Sequence, residues 1–323
     1  MYFFYLVYIL GKYLNEFIFT NFMKRKIVQH GSSSLTITLP VKWVNKYGLK
    51  KGAELDVEED GSKLILNTQE DIVNLKKEIF SKDMGLFTKN DLSHLYQLGY
   101  DDVEITFNDT KTLNEIKSRV SECIGYEIID QKSNKVHIKS IVTTIETEFD
   151  TLLRKSFQVT NEMAKELLEA LKNKNFDELG NIRSMEGLNN RFTDICIRIL
   201  NKKGYSNQKR TMQMYEIVKN IERVADEFKY ISDIFKNYKG NVSDINLKLF
   251  SEVINYYLIF YNMMYNFKPE LKENIFLLRK PLIIKIENQL EKSKGKETFF
   301  LHHQLSIIQK VYEGVGGYLT LTL

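Results

Sequence analysis

A helical pattern with one apolar face runs through Ile221-Glu222-Arg223-Val224-Ala225-Asp226-Glu227-Phe228-Lys229-Tyr230-Ile231. Its apolar residues recur every three or four positions, the spacing of an amphipathic helix with a buried face. The pattern fills Gln208–Tyr238 and returns in five further segments: Ile145–Lys172, Phe176–Lys202, Val242–Phe267, Leu271–Lys292 and Phe299–Tyr318. Short polar breaks separate these segments. Residues 143–320 are therefore predicted to form an antiparallel bundle of two three-helix repeats.

A different, strand-rich pattern occupies residues 23–68. Polar and apolar residues alternate strictly over Ser34–Leu39 until Pro40 stops the strand. A short helix is predicted over Val41–Tyr47, and Asp60-Gly61 predicts a hairpin turn. A unit of about 45 residues buries little apolar surface alone, so we expect it to dimerise.

Between these two regions, residues 71–142 predict a mixed α/β connector. Helices are expected near Ile72–Phe80, Lys89–Leu98 and Thr112–Cys123, and strands near Val103–Phe107, Tyr126–Ile129 and Val136–Ile141. No glycine-rich phosphate loop follows a strand here, so nothing supports nucleotide binding. The fold class is multidomain α+β: a small β domain, an α/β connector and a helical bundle.

Charge is distributed unevenly along the chain. The 323 residues carry a formal net charge of +4, but Lys24 to Lys51 contains seven basic residues and no acidic one. A dimer would bring two such segments together, enough for several phosphate contacts. The hydroxyls of Ser32, Ser33, Ser34 and Thr36 would suit phosphate oxygens. Alternatively, the lysines only solvate a small β unit and the serines only complete a turn.

Two acidic stripes lie on neighbouring helices of the predicted bundle. Glu222 and Asp226 are four residues apart and share a helix face, as do Glu186, Asn190 and Asp194 on the preceding helix. Unpaired carboxylates at this distance repel each other, and a divalent or trivalent cation would relieve the repulsion. The alternative is a solvated acidic face paired with Arg191 and Arg223.

The first 22 residues form an apolar extension. The uninterrupted apolar run Tyr2–Leu10 is short for a membrane span, which needs about 20 residues, and Lys12 and Glu16 follow it. We interpret residues 1–22 as a misassigned or non-native start, with a surface helix or a membrane anchor as alternatives. Stable membrane insertion is not expected. With only two cysteines, Cys123 and Cys196, the expected compartment is the reducing cytoplasm.

The stretch Arg25–Pro40, followed by Lys42-Trp43-Val44 and Gly48-Leu49-Lys50-Lys51-Gly52, resembles the swapped-hairpin AbrB/SpoVT/MazE DNA-binding family. The resemblance covers about Lys24 to Leu66 and implies a dimer with interleaved hairpins. Some members of this fold instead bind proteins or only dimerise. The residues then expected to contact DNA are Lys24, Arg25, Lys26, Ser32, Ser33, Ser34, Thr36 and Lys42.

The run Ile221–Ile231 resembles the signature of PhoU-type phosphate-signalling proteins, and Glu186–Phe192 resembles its companion segment. The connector resembles that of archaeal PhoU-like proteins, in which an AbrB-type domain precedes the bundle. The resemblance implies a metal cluster, with a divalent or iron-type ion and no organic cofactor. The expected ligands are Glu186, Asn190, Asp194, Glu222 and Asp226.

The second repeat departs from this pattern. Gln309–Glu313 stands where the first repeat has its acidic pair, and Pro281 lies in a helix without one. At most one metal site is therefore expected, in the first repeat.

These resemblances imply a phosphate-homeostasis regulator, with a DNA-binding dimer at its N-terminus and a helical sensor or partner domain. It would act as a negative regulator of phosphate uptake. The alternative is a signalling adaptor that docks on a phosphate transporter or its signalling partner and uses its N-terminal domain only to dimerise. We do not expect an enzyme, because no base or nucleophile accompanies the acidic stripes.

Overall fold

The computed structural model describes residues 23–32, 34–68, 75–142 and 148–322. These residues fall into two compact units, one ending at Thr68 and one beginning at Leu75. The second unit holds both the α/β connector and the helices. The predicted extension at residues 1–22 lies outside the described residues.

The N-terminal unit consists of two small antiparallel hairpins and one short helix. Strands β1 (Val28–His30) and β2 (Ser34–Thr36) pair with Val28 opposite Thr36. Helix α1 spans Val41–Lys46, and β3 (Leu55–Asp60) pairs with β4 (Lys63–Thr68) across a two-residue turn, Gly61-Ser62, directly after Asp60. Gly61 adopts φ 61°, which glycine tolerates in a tight hairpin turn.

The second unit begins with a four-stranded sheet in the order β5-β6-β8-β7. Its strands are β5 (Lys76–Phe80), β6 (Asp102–Thr106), β7 (Tyr126–Gln131) and β8 (Lys135–Ser140). β5 and β6 are parallel, while β8 runs antiparallel to both β6 and β7. Helices α2 (Lys89–Gln97) and α3 (Thr110–Val120) connect the strands.

The helix predicted near Ile72–Phe80 is wrong, because Lys76–Phe80 is the edge strand β5. Ile79 pairs with Ile105 of β6 and is buried. The three- and four-residue spacing of the apolar residues in this short segment suggested a helix. Pairing with a strand more than twenty residues downstream determines its structure instead, since tertiary contacts override a weak local pattern.

Residues 148–322 contain six α-helices, close to the six predicted. They are α4 (Phe149–Asn173), α5 (Leu179–Lys203), α6 (Thr211–Phe235), α7 (Asp244–Tyr265), α8 (Pro269–Leu290) and α9 (Lys296–Thr322). Two helices end at residues with positive φ, Lys174 (61°) and Gly204 (78°). Within the first group of three, α5 packs against both α4 and α6, and α6 packs closely against α9 of the second group.

The core of the bundle is rich in aromatic side chains. The rings of Phe235 and Phe250 lie 5.3 and 5.1 Å from that of Phe300, and Phe157 lies 5.6 Å from Phe260. These edge-on contacts are the favoured geometry for aromatic pairs. Cys196 is buried among the apolar residues of α5. Among the described residues, no helix has the length and apolar character needed to cross a bilayer.

Candidate functional site

A polar cleft of about 420 Å³ lies within the second unit, between helices α2, α5 and α6 and the end of α3. Four of the five residues predicted as metal ligands line it: Glu186, Asn190, Asp194 and Glu222. The fifth, Asp226, bonds to Lys229, which also lines the cleft. The predicted residues of the two helices therefore lie close together, around one cleft.

The α5 side of the cleft carries the first predicted stripe. Glu186 and Asp194 are buried, and Asn190 between them donates from Nδ2 to Glu186 Oε1 at 2.8 Å. Lys202 and Lys203 stand in the last turn of this helix, where positive charge is favourable. The four-residue spacing thus aligns the three side chains as predicted.

The α6 side of the cleft carries lysines as well as carboxylates. Lys229 Nζ lies 2.9 Å from Glu186 Oε1 and forms a second ion pair with Asp226. Lys219 pairs in the same way with Glu222. Each pairing within α6 spans three residues, so the helix itself supplies a cation for each of its two predicted ligands.

The pKa values in this cluster reflect burial opposed by pairing. Burial raises the pKa of Asp226, and the neighbouring carboxylates of Glu186 and Glu222 raise it further, while Lys229 opposes both. Burial works against the charged form of Lys229, but its bonds to Asp226 and Glu186 prevail and raise its pKa. The ammonium of Lys229 therefore remains charged.

Lysines lie beside three of the predicted metal ligands. Glu186, Glu222 and Asp226 each face a lysine. Within the described ranges, no group of three or more His, Cys, Asp or Glu side chains could hold a metal ion. No ion pair described for these acids involves Arg191 or Arg223, the partners of the alternative interpretation. Metal binding at these residues stays a prediction.

The connector supplies the partners of Asp194, which sequence reasoning missed. Gln97 at the end of α2 donates from Nε2 to Asp194 Oδ1 at 2.6 Å. Arg119 of α3 forms a buried ion pair with Asp194 and a second pair with Glu122 at 2.5 Å. These residues are separated from Asp194 by 97 and 75 positions, so no local spacing could have revealed them.

A second buried carboxylate, Glu227, was also missed. Its oxygens accept hydrogen bonds from Ser306 Oγ at 2.9 Å and Lys310 Nζ at 2.6 Å, and His303 Nδ1 lies 2.5 Å away. Burial opposes this charge, but the bonds to His303 and Lys310 prevail and lower the pKa of Glu227 to about 2. The three partners share one face of α9, a signal visible in the sequence once α6 and α9 are known to be neighbours.

The residues predicted to contact DNA are exposed in the N-terminal unit, except that Ser33 lies outside the described residues. Lys24, Arg25 and Lys26 precede β1, and Lys42 lies on α1; all four are exposed. Ser34 and Thr36 lie opposite His30 and Val28, so they share one face of the hairpin. Thr36 Oγ1 donates to the Val28 carbonyl at 3.2 Å, while Ser32 is exposed in the turn.

The N-terminal unit leaves its apolar side chains uncovered. None of its described residues is buried. Leu35 is 70% exposed and Leu64 69% exposed. The same holds for Ile27, Ile37, Val41 and Val57, which are all more than half exposed. This exposed apolar surface is large for so small a unit, and exposed apolar patches of this kind are typical of interaction sites.

Comparison with known families agrees with this division of the chain. Residues 28–71 match the family model described as antidote-toxin recognition MazE, bacterial antitoxin. Residues 153–235 match the model of the PhoU domain, which spans α4 to α6 and includes all five predicted metal ligands. The swapped-hairpin and PhoU assignments and the fold class are thereby confirmed. No curated protein and no solved structure matches the chain.

Proposed function

We propose that this chain, which joins a MazE-type antitoxin domain to a PhoU domain, is a DNA-binding regulator of phosphate homeostasis. The observation that carries the proposal is the exposed basic segment at the start of the MazE-type domain. Lys24, Arg25 and Lys26 are all exposed there. Exposed lysine and arginine side chains can reach the phosphates of a duplex and release its condensed counterions.

Dimerisation forms part of the proposal because it supplies both stability and affinity. A second copy would cover the exposed Leu35 and Leu64 and remove their apolar surface from water. It would also double the number of basic side chains facing the same duplex. Two copies of the segment from Lys24 to Lys51 bring fourteen basic residues and no acidic one.

The PhoU domain would carry the regulatory input. We infer that it responds to phosphate status, to a metal ion or to a partner protein. The regulator would act negatively on phosphate uptake, from the cytoplasm. Its role would be regulatory and not enzymatic, in keeping with both matched families. The second candidate function is an adaptor that docks on a phosphate transporter. This adaptor would still dimerise but would not bind DNA.

A mobility-shift titration tests DNA binding by the full-length protein. The probe is a duplex enriched from a random pool, compared with a scrambled duplex of equal length, at two salt concentrations. Wild type is expected to prefer the enriched duplex with a steep salt dependence. The triple variant Lys24→Ala/Arg25→Ala/Lys26→Ala removes six charges from a dimer, so the slope of log affinity against log salt should fall by up to about 5.

A control variant with the same loss of charge separates the effect of the Lys24–Lys26 segment on DNA binding from the effect of total charge. Lys165, Lys172 and Lys248 are exposed on the helical bundle, and their triple alanine variant should leave the salt slope unchanged. No preference for the enriched duplex in wild type, or equal effects of the two triple variants, would contradict the DNA-binding role. In that case, phosphate-dependent association with a transporter would favour the adaptor.

A further inference from the structure

Lys229 lies at the point where the two predicted acidic stripes meet. Its ammonium reaches Glu186 on α5 at 2.9 Å and Asp226 on its own helix. The side chain of Lys229 is 13% exposed and that of Glu186 12% exposed. Both carboxylates therefore face one cation that the chain itself provides. Water has little access to Glu186, while Asp226 is 27% exposed.

A cation at this point stabilises the packing of α5 on α6. Two carboxylates brought together on packed helices repel each other and lose hydration, and both costs fall when a cation lies between them. An ammonium suits the position because it offers three donors and no acceptor. Lys229 uses two of these donors on Glu186 and Asp226.

The other two acidic ligands are paired separately, whereas Asn190 donates to the same Oε1 of Glu186 that Lys229 contacts. Glu222 pairs with Lys219, and Asp194 pairs with Arg119. The cations that meet these two acids are therefore two side chains other than Lys229. The charges of Glu222 and Asp194 are therefore neutralised without Lys229.

We propose that Lys229 is a built-in cation: its ammonium takes the place that a metal ion would hold between Glu186 and Asp226, and the first helical repeat assembles without a metal. This inference goes beyond the proposed function and does not depend on DNA binding. It has a direct corollary. Removing the ammonium while keeping the aliphatic stem leaves two carboxylates facing one empty point, and a divalent cation that prefers oxygen ligands should then bind there.

The test compares full-length wild type with Lys229→Met, using Mn²⁺ alone as the probe. Each protein is treated with a chelator, incubated with Mn²⁺, dialysed and analysed for bound metal. Wild type should retain less than about one tenth of a Mn²⁺ per chain, and its unfolding temperature should not change. Lys229→Met should retain about one Mn²⁺ per chain and unfold at a higher temperature when Mn²⁺ is present.

Three further variants make the result specific. Lys219→Met removes the neighbouring ammonium but exposes only Glu222, so it should gain no metal. Lys229→Arg keeps a cation and should behave like wild type. Lys229→Met/Asp226→Asn also removes the negative charge of one of the two carboxylates. This double variant should therefore not bind the Mn²⁺ that Lys229→Met binds.

Two outcomes would overturn the inference. One is a wild type that retains about one Mn²⁺ per chain and loses it when Glu222 and Asp226 are both changed to alanine, since the acids would then bind metal with Lys229 present. The other is a folded Lys229→Met that gains no metal. If Lys229→Met does not fold without metal, recovery of its fold by Mn²⁺ supports the inference. If it folds under neither condition, the Mn²⁺ content of wild type and of Lys229→Gln decides whether the inference holds.

Discussion

The guanidinium of Arg198 and the carboxylate of Asp101 form a buried ion pair that joins the helical bundle to the α/β connector. Their side chains are only 6% and 9% exposed. Arg198 also donates to the carbonyl oxygens of Tyr96 and Tyr100, both at 2.8 Å. One side chain of α5 thus satisfies three acceptors at the end of α2 and the start of β6. This concentration of bonds explains why connector and bundle lie in one compact unit.

Replacing Arg198 with methionine should destabilise the second unit strongly. The variant leaves the Tyr96 and Tyr100 carbonyls without this donor. Asp101 then keeps Lys202, 2.9 Å away, as its cation. Breaking a buried pair of this kind costs about 3–5 kcal/mol. Urea unfolding followed by circular dichroism measures the loss.

A matched control is available in the exposed ion pair between Arg183 and Asp233. Their atoms lie 2.6 Å apart, but the side chains are 62% and 37% exposed. Arg183→Met should therefore change the unfolding free energy by less than about 1 kcal/mol. Similar losses in the two variants would contradict the importance assigned to burial at Arg198.

The range of an interaction decides whether the sequence reveals it. The six bundle helices were predictable because their apolar spacing extends over more than twenty residues in each helix. The hairpin at Asp60-Gly61 was predictable because its turn chemistry is local. In contrast, β5 was predicted as a helix, because its partner β6 lies beyond an intervening helix.

The candidate site shows the same limit. The spacing of Glu186, Asn190 and Asp194 correctly predicted a shared face. It could not reveal that Arg119 and Gln97 approach Asp194 from the connector. The pairing of Lys229 with Asp226 could have been predicted from the sequence, since the two residues are three positions apart on the same helix. Only the packing of α5 on α6 shows that Glu186 shares this lysine.

Replacing Glu227 with glutamine should weaken the contact between α6 and α9. The carboxylate serves three partners on α9, and the amide group would offer an N–H₂ to cationic Lys310 or to His303 in place of an oxygen. Losing a charged acceptor for buried donors costs about 1.5–3 kcal/mol. Chemical unfolding at pH 7 measures this loss.

The effect at Glu227 should also depend on pH with a definite sign. Its pKa is lowered from 4.5 to about 2, so the stabilising charge is present at neutral pH and is lost as the pH falls through that interval. The stability gap between wild type and Glu227→Gln should narrow below about pH 4.5. Glu252→Gln removes the exposed ion pair with Lys285. Its unfolding free energy should differ little from that of wild type at every pH.

Introducing a charge into the uncovered apolar surface of the N-terminal unit should weaken self-association. Leu64→Glu places a carboxylate where we expect a second copy to pack. Burying it unpaired would raise the dimer dissociation constant at least about tenfold, equivalent to about 1.4 kcal/mol. Sedimentation equilibrium measures the constant. Leu277→Glu alters a similarly exposed leucine on α8 and should leave the dissociation constant unchanged. Equal effects of the two variants would argue against dimerisation through the hairpins.

Two glycines on α9 should respond in opposite directions to the same substitution. A Cβ at Gly314 would lie 2.8 and 2.9 Å from the ring carbons of Phe260, a core residue of α7. Gly314→Ala should therefore force the buried ring to move and cost about 1–3 kcal/mol. Gly316 has nothing within 4 Å of its Cβ position, so Gly316→Ala should stabilise the protein by up to about 1 kcal/mol through helix propensity. Thermal unfolding of both variants gives the comparison. A stabilised Gly314→Ala would mean that α9 can move away from α7 at little cost, contrary to the tight packing of the two helices seen around Phe260.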